Sequence, residues 1–492
     1  MTTVSRRGFL AASSAVFGAA CLPRAGIAQA SAPLRLSATT RTLDIDGRAA
    51  TVLGLSGPSG QGLILNPGQR FRVDLANDLD VDTIIHWHGQ IPPNVQDGVP
   101  DMPLPLLAPG ETRPYDFEAR PGTHWMHSHV PVQEMSLLAA PLIVRRPEDL
   151  AADRQEVVMF LHDFSFRPAA EVLAEITANM TGHDMEAMGG EGSGGSMSGM
   201  DHGGMSMGDM QMDGMAMDGM AMDLNDFDFD AYLANDRTLS DPEIVPVERG
   251  GRVLLRVINA AAATSFWIDA GEVPARLVAT DGHAVEPVSG RRFGLAMGQR
   301  LDIELDLPGA GAFPVFALRE GARERTGLIL ATPGAAVATI GSLGDAKTPA
   351  FDTDLAQEFM LKAAAAPLPP RPVDRRHMVM LQGAMMPYRW TIDGRSWGNH
   401  KPLEARSGER VEFTFHNMSM MGHPMHLHGH VFQVVNVNGR AIRGALRDTV
   451  YIPPMAMVTV ALDAGEAARW MLHCHHIPHL ATGMMSEFAI SA

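Results

Sequence analysis

A chain of 492 residues with 46% hydrophobic content can bury several cores, and ordinary domain sizes suggest about three. A formal charge of −17 argues against a nucleic-acid backbone as partner and suits a soluble protein that attracts cations.

In chain order, the first segment reads SRRGFLAASSAVFGAACLPRAGIAQA. Arg6 and Arg7, a short apolar run and Ala28-Gln29-Ala30 look like a twin-arginine export signal over residues 1–30. The apolar run is too short for a membrane span, and no later stretch offers one. Cleavage after residue 30 would also remove Cys21. The mature chain would keep one cysteine and no intramolecular disulfide.

An internal repeat runs through the remainder. GQRFRVDLAN (68–77), GGRVLLRVIN (250–259) and GERVEFTFHN (408–417) share a Gly, an Arg two residues on, alternating apolar positions and a closing Asn. A second repeat trails each one, beginning at 109, 297 and 454. Period-2 alternation after a Gly turn predicts a β-strand used three times, and long helical periodicity is scarce. The expected fold is all-β, three β-sandwich domains over residues 31–148, 149–340 and 341–492.

Counting nine and eleven residues on from the closing Asn reaches His86 and His88 in the first repeat, and His426 and His428 in the third. The same count in the second repeat reaches Ile268 and Ala270. A paired-histidine site drawn from both ends of the chain therefore belongs at an interface of domains 1 and 3, with domain 2 as spacer. Further clusters are HWMHSH, with His124, His127 and His129, HPMHLHGH, with His423, His426, His428 and His430, and HCHHIPHLATGM over residues 473–484. On a strand, residues i and i+2 share a face, so each H-x-H aims two imidazoles one way.

The last of these stretches sets Cys474 between His473 and His475, with His479 and Met484 downstream. Two imidazoles and a thiolate with a long axial thioether are the ligand set of blue copper. Cys474, His479 and Met484 supply three of the four, and the fourth is open among the histidines of residues 423–430.

Residues 180–222 break the strand pattern. Thirteen of the 33 methionines fall there, among Gly, Ser and Asp, with His183 and His202. Such a composition predicts a disordered insertion, and its soft thioethers suit Cu(I).

HWHG, HSH, HPMHLHGH and HCHHIPHLATGM, in this order, resemble the four copper motifs of the multicopper oxidases. The resemblance implies three cupredoxin-like Greek-key domains and four copper ions. A type 1 ion would sit on His423, Cys474 and His479 with Met484 axial, and a type 2 ion on His86 and His426. Two type 3 ions would sit on His88, His127, His129, His428, His473 and His475. It also places Asp97 as a proton-handling acid beside the cluster. Where many copper-oxidising relatives have a carboxylate after the equivalent of His479, this chain has Leu480, so a second such acid is unassigned.

His124, His430 and His476 are expected to hydrogen-bond around the ligands, and His162, His283, His377 and His400 to be structural or exposed. The function implied is an exported, periplasmic oxidase, passed through the twin-arginine machinery. It would take electrons from Cu(I), and from phenols, and reduce O₂ to water in copper tolerance. The alternatives are a laccase acting mainly on organic substrates, and a copper-binding protein without turnover.

Overall fold

All three Gly-to-Asn repeats form the strand that their alternation predicts: Phe71–Asn77, Arg252–Asn259 and Arg410–Asn417. The computed structural model describes residues 32–178, 224–365 and 367–492. The expected export signal and the Met-rich insertion 180–222 lie outside the described residues.

Each repeat strand has the same neighbours. On one side it pairs parallel with the strand that opens its sandwich: Leu34–Ile45, Gln155–Phe164 or Arg375–Met385. On the other it pairs antiparallel with the second repeat: Thr112–Phe117, Arg300–Asp306 or Met457–Asp463. A second sheet completes each sandwich, and apolar side chains from both sheets fill the space between. Leu36, Phe71 and Leu75 meet Leu65, Met126 and Leu142 in the first, and comparable sets fill the others. The fold is thus all-β, a β-sandwich built three times, and Leu34–Ala492 forms one compact unit. Among the described residues no helix is long and apolar enough to cross a membrane.

The closing Asn of each repeat does one structural job. Asn77 Nδ2 donates to the carbonyls of Val81 and Leu107, and its Oδ1 accepts from the Leu79 amide. Asn259 makes the same three bonds with Thr264, Leu295 and Ala261. Asn417 binds the carbonyls of Met421, Ile452 and Pro453 and accepts from the amide and hydroxyl of Ser419. All three side chains are buried. A buried amide so placed pairs with backbone groups of the loop and of the strands beside it, and it fixes the loop to the next strand.

Fixing that loop sets the register of the next strand. His86 lies opposite His127 across one strand pair, and His426 lies opposite His473 across another. The equivalent pair in the middle sandwich is Ile268 opposite Ala317, both in its apolar core. One framework position carries paired histidines in two sandwiches and apolar packing in the third.

Replacing Asn417 or Asn259 by Ala would remove these bonds and leave buried backbone groups such as the Ala261 amide unpaired, at about 1–3 kcal/mol each. Both variants are expected to unfold at clearly lower temperature in scanning calorimetry of the copper-free protein, Asn259→Ala while leaving the histidine clusters' copper binding intact. A neutral Asn259→Ala would show that the middle staple contributes nothing.

Candidate metal centre

Three donor atoms converge at the first site. Cys474 Sγ stands 3.7 Å from His423 Nδ1 and 3.6 Å from His479 Nδ1, and the two nitrogens are 3.2 Å apart. Cys474 ends the strand Arg469–Cys474, and His423 opens the strand His423–Leu427 that pairs with it. His479 sits on the short helix Ile477–Ala481 just beyond. Ser419 Oγ donates its own hydrogen onward and so accepts His423 Nε2–H at 2.8 Å. That leaves the Nδ1 lone pair facing the thiol. Met484 is fully buried in the same core as Cys474, and its carbonyl accepts the Cys474 amide at 3.1 Å. Burial holds the His423 imidazole down to about 3 and pushes the Cys474 thiol up.

A larger cluster lies where the first and third sandwiches meet. His86 and His428 have ring centroids 3.8 Å apart, and His88 stacks on His426 at 3.8 Å. His473 Nε2 faces His428 Nε2 at 3.1 Å, and His129 and His475 lie beside them. Backbone carbonyls orient the rings. His86 Nδ1–H donates to Asp97 O at 2.8 Å, His426 Nδ1–H to Asp448 O at 2.9 Å, His127 Nδ1–H to Ser128 O at 3.0 Å and His473 Nδ1–H to Cys474 O at 2.9 Å. Each of these rings then presents a bare Nε2 inwards. His88 is turned round. Its Nε2 binds Asp448 Oδ1 and Thr449 Oγ1, and Nδ1 is the free atom.

The donor set fits copper. His86 Nε2 and His426 Nε2 face each other at 3.4 Å with both Nδ1 hydrogens already committed, so two lone pairs oppose with no proton between them. His88 Nδ1, His127 Nε2, His129 Nε2 and His475 Nε2 have no partner although buried. Buried unpaired nitrogens are costly, and a bound cation accounts for the whole arrangement. Protonation cannot, because burial lowers His86, His88, His129, His426, His428 and His475 well below the ordinary imidazole value.

Family sequence profiles described as multicopper oxidase match residues 38–149, 206–335 and 369–492, together most of the chain. The chain belongs to the multicopper oxidase family. Among similar proteins, multicopper oxidase MmcO of Mycobacterium tuberculosis is 29% identical over 443 residues, spanning 85% of this chain and 79% of that one. A copper resistance protein A homolog of Pseudomonas syringae pv. tomato is 26% identical, spanning 91% and 90%. Among solved structures, Fet3p, a multicopper oxidase that functions in iron import, superposes with a TM-score of 0.72 at 16% identity over 93% of this chain and 90% of that one. A multicopper oxidase of Pseudomonas thermotolerans gives 0.66 at 23% over 93% and 98%. Those two likenesses establish the fold. As a multicopper oxidase the chain is a copper-binding oxidoreductase that uses O₂.

The oxidase brings together all eleven histidine and cysteine positions picked out by the motifs, and Asp97 with them. Asp97 Oδ2 accepts His428 Nδ1–H at 2.8 Å, and Oδ1 has no partner. Burial raises the Asp97 carboxyl to about 8. It can sit there because Gly98 follows at φ +89, where a Cβ would strike the Ile85 carbonyl at 1.9 Å.

Of the extra histidines, His430 bridges the His428 carbonyl and the Gly465 amide, and His476 stacks on His479 at 3.8 Å. His124 is buried beside Gly89 and Gly282 with both nitrogens unpaired. His162 is isolated and buried, His283 takes a bond from Arg120, and His377 and His400 bind Glu404 O and Glu487. Motif spacing missed Asp448, Glu134, Ser419 and Asp226. None is periodic with the ligands: Ser419 and Glu134 lie four and seven residues from the histidines they bond, and Asp448 and Asp226 arrive by tertiary approach.

Buried neutral imidazoles make the copper-free oxidase acid-sensitive. His162, His430 and His473 are lowered to about 4 and His423 to about 3, all by burial first. Unfolded, each binds a proton near its ordinary value of 6.5, so the unfolded state takes up more protons and stability falls as pH drops from there towards 4. Buried acids raised by desolvation, such as Asp97 and Asp226, pull the other way but are outnumbered. Thermal midpoints of the copper-free protein should therefore fall steadily between about pH 7 and pH 5, and a flat profile would contradict the buried neutral state.

Proposed function

We propose that this protein is an exported, periplasmic cuprous oxidase of copper tolerance. It takes single electrons from Cu(I) and passes four to one O₂ with four protons, giving two waters. The assignment of ions is that of the motifs: type 1 on His423, Cys474 and His479 with Met484, type 2 on His86 and His426, and a type 3 pair on His88, His127, His129, His428, His473 and His475. Bound there, copper supplies one-electron redox chemistry and a Lewis-acid seat for O₂.

The protein's own groups do the rest. Cys474 is joined through single peptide units to His473 and His475, so the first site and the larger cluster share one short covalent path. Asp97 Oδ1, unpaired beside the cluster, is an atom on which a proton can rest.

The observation that carries the choice of Cu(I) is where the described residues on either side of the Met-rich tract sit. The helix Ala169–Thr177, just before it, packs against the helix Ile477–Ala481 that bears His479 and against the strand Tyr388–Ile392. Just after it, Asp226 accepts a hydrogen bond from Tyr388 Oη and lies 3.7 Å from His479 Nε2. The described residues flanking the thioether-rich segment on either side thus pack against the helix that bears His479 and the strand beside it. The names of the copper resistance relatives support the same reading.

Deleting Thr181–Met222 should weaken Cu(I) oxidation at low copper while phenol oxidation holds or rises. Equal losses on both substrates would point to a folding role for the tract, and no change on either would make it a linker and favour a laccase acting on organic substrates.

Cys474→Ser should abolish both the intense blue absorption and turnover, since a hydroxyl is a poor stand-in for the thiolate. His426→Ala should stay blue and lose O₂ uptake. A blue Cys474→Ser enzyme would defeat the type 1 assignment.

A further inference from the structure

Glu134 is an acid that the copper motifs leave unassigned. It closes the one-turn helix Pro131–Glu134, five residues beyond His129, and is 3% exposed. Its Oε2 accepts the Nδ1–H of His127 at 3.0 Å, a hydrogen shared with the Ser128 carbonyl. Its Oε1 has no partner, and His475 Nδ1, 3.9 Å away, has none either. Two buried, unpaired and complementary atoms facing each other just beyond hydrogen-bond reach define a contact that a small ring rotation closes.

Charge points the same way. The ion-pair partners of Glu134 among the described residues are these two histidines, with no Arg or Lys. A buried carboxylate without a cation is costly. The cost is offset when the far nitrogen of each imidazole holds a metal ion, because ligation makes the near N–H a stronger donor to the carboxylate. The fold sets Glu134 at the seam between two sandwiches: its helix packs on Ile477–Ala481, which carries Leu480. Leu480 is apolar and buried, so the carboxylate here comes from the first sandwich and not from the residue after His479.

We infer that Glu134 is a positioning residue that clamps one imidazole from each sandwich, His127 from the first and His475 from the third, with both Nε2 atoms turned to the type 3 pair. The inference rests on the type 3 assignment of those two histidines given above. Glu134 would then hold the seam as well as the rings, since one carboxylate bonds to both sides of it.

The test loads Glu134→Gln and Glu134→Ala enzymes with copper beside the wild type. Copper per chain, affinity by chelator competition, the blue absorption of Cys474 and the magnetic signature of the paired ions are read together. Glu134→Ala should bind the pair about 10–100-fold more weakly and keep its blue absorption. Glu134→Gln keeps one acceptor oxygen but turns an NH₂ towards the second imidazole, and should fall between. Unchanged affinity and signature in both variants would overturn the inference. So would joint loss of the blue absorption and the pair in the isosteric Gln variant, which marks a general folding defect. A wild-type enzyme with no magnetically paired ions would instead bring down the type 3 assignment, and this inference with it.

Discussion

Opposed imidazole lone pairs are the constraint on which the rest of this molecule depends. His86 and His426 face each other through Nε2 at 3.4 Å from different sandwiches, and His428 faces His473 through Nε2 at 3.1 Å. In water each ring would turn away or take a proton. Here burial lowers all four pKa values, and hydrogen bonds to Asp97 O, Asp448 O, Asp97 Oδ2 and Cys474 O hold the four rings in place. Without a cation such a site opposes folding. With one, the same preorganisation becomes affinity, because the ligands need no further ordering.

The middle sandwich, expected as a spacer, takes part in that preorganisation. Arg300, fully buried, forks onto both oxygens of Asp448, with Nη1 at 2.6 Å from Oδ1. Burial alone would push the Asp448 carboxyl up, yet the guanidinium holds it well below the usual carboxylate range. Asp448 is thereby kept as the acceptor that turns His88 round. Gln299 donates to the Thr449 carbonyl, and Gly298 at φ +79 packs so closely on His475 that a Cβ would lie 2.8 Å from its ring. The second sandwich lacks the paired histidines and supports those of its neighbours.

How much of this was legible in the sequence depends on which features repeat. The Gly-to-Asn strand recurs with fixed spacing, so counting from Asn77 and Asn417 reached His86 and His426, and the same count in the middle repeat reached Ile268. Strand periodicity made the fold readable in the same way. The Asn itself stood out as a marker, but its function as a staple for loop carbonyls depends on the facing sheet and is invisible along the chain. Arg300 and Asp448 were missed for the same reason, and Glu134, seven residues from His127, because it falls outside the paired-histidine spacing. Arg300 and Asp448 are 148 residues apart, and no local pattern links a guanidinium in one sandwich to a carboxylate in another. Asp97 was reached only through the resemblance to the family, since an Asp ahead of Gly98, eleven residues after His86, is otherwise an ordinary loop pattern.

The order of the ligands along the chain also constrains when copper can be bound. The first sandwich supplies His86, His88, His127 and His129, and the stretch from His423 onwards supplies the others. The strand Arg469–Cys474 lies between His423–Leu427 and Met485–Ser491 in one sheet, so Cys474 is fixed only when nearly the last residues are in place. The loop before Asp97 is itself stitched to that end of the chain, Asn94 bonding to the Arg469 carbonyl and the Glu466 side chain. No partial chain can present the cluster, because half its ligands and the bonds that orient them come from the far terminus. Copper loading at the cluster then requires both ends of the chain to be in place.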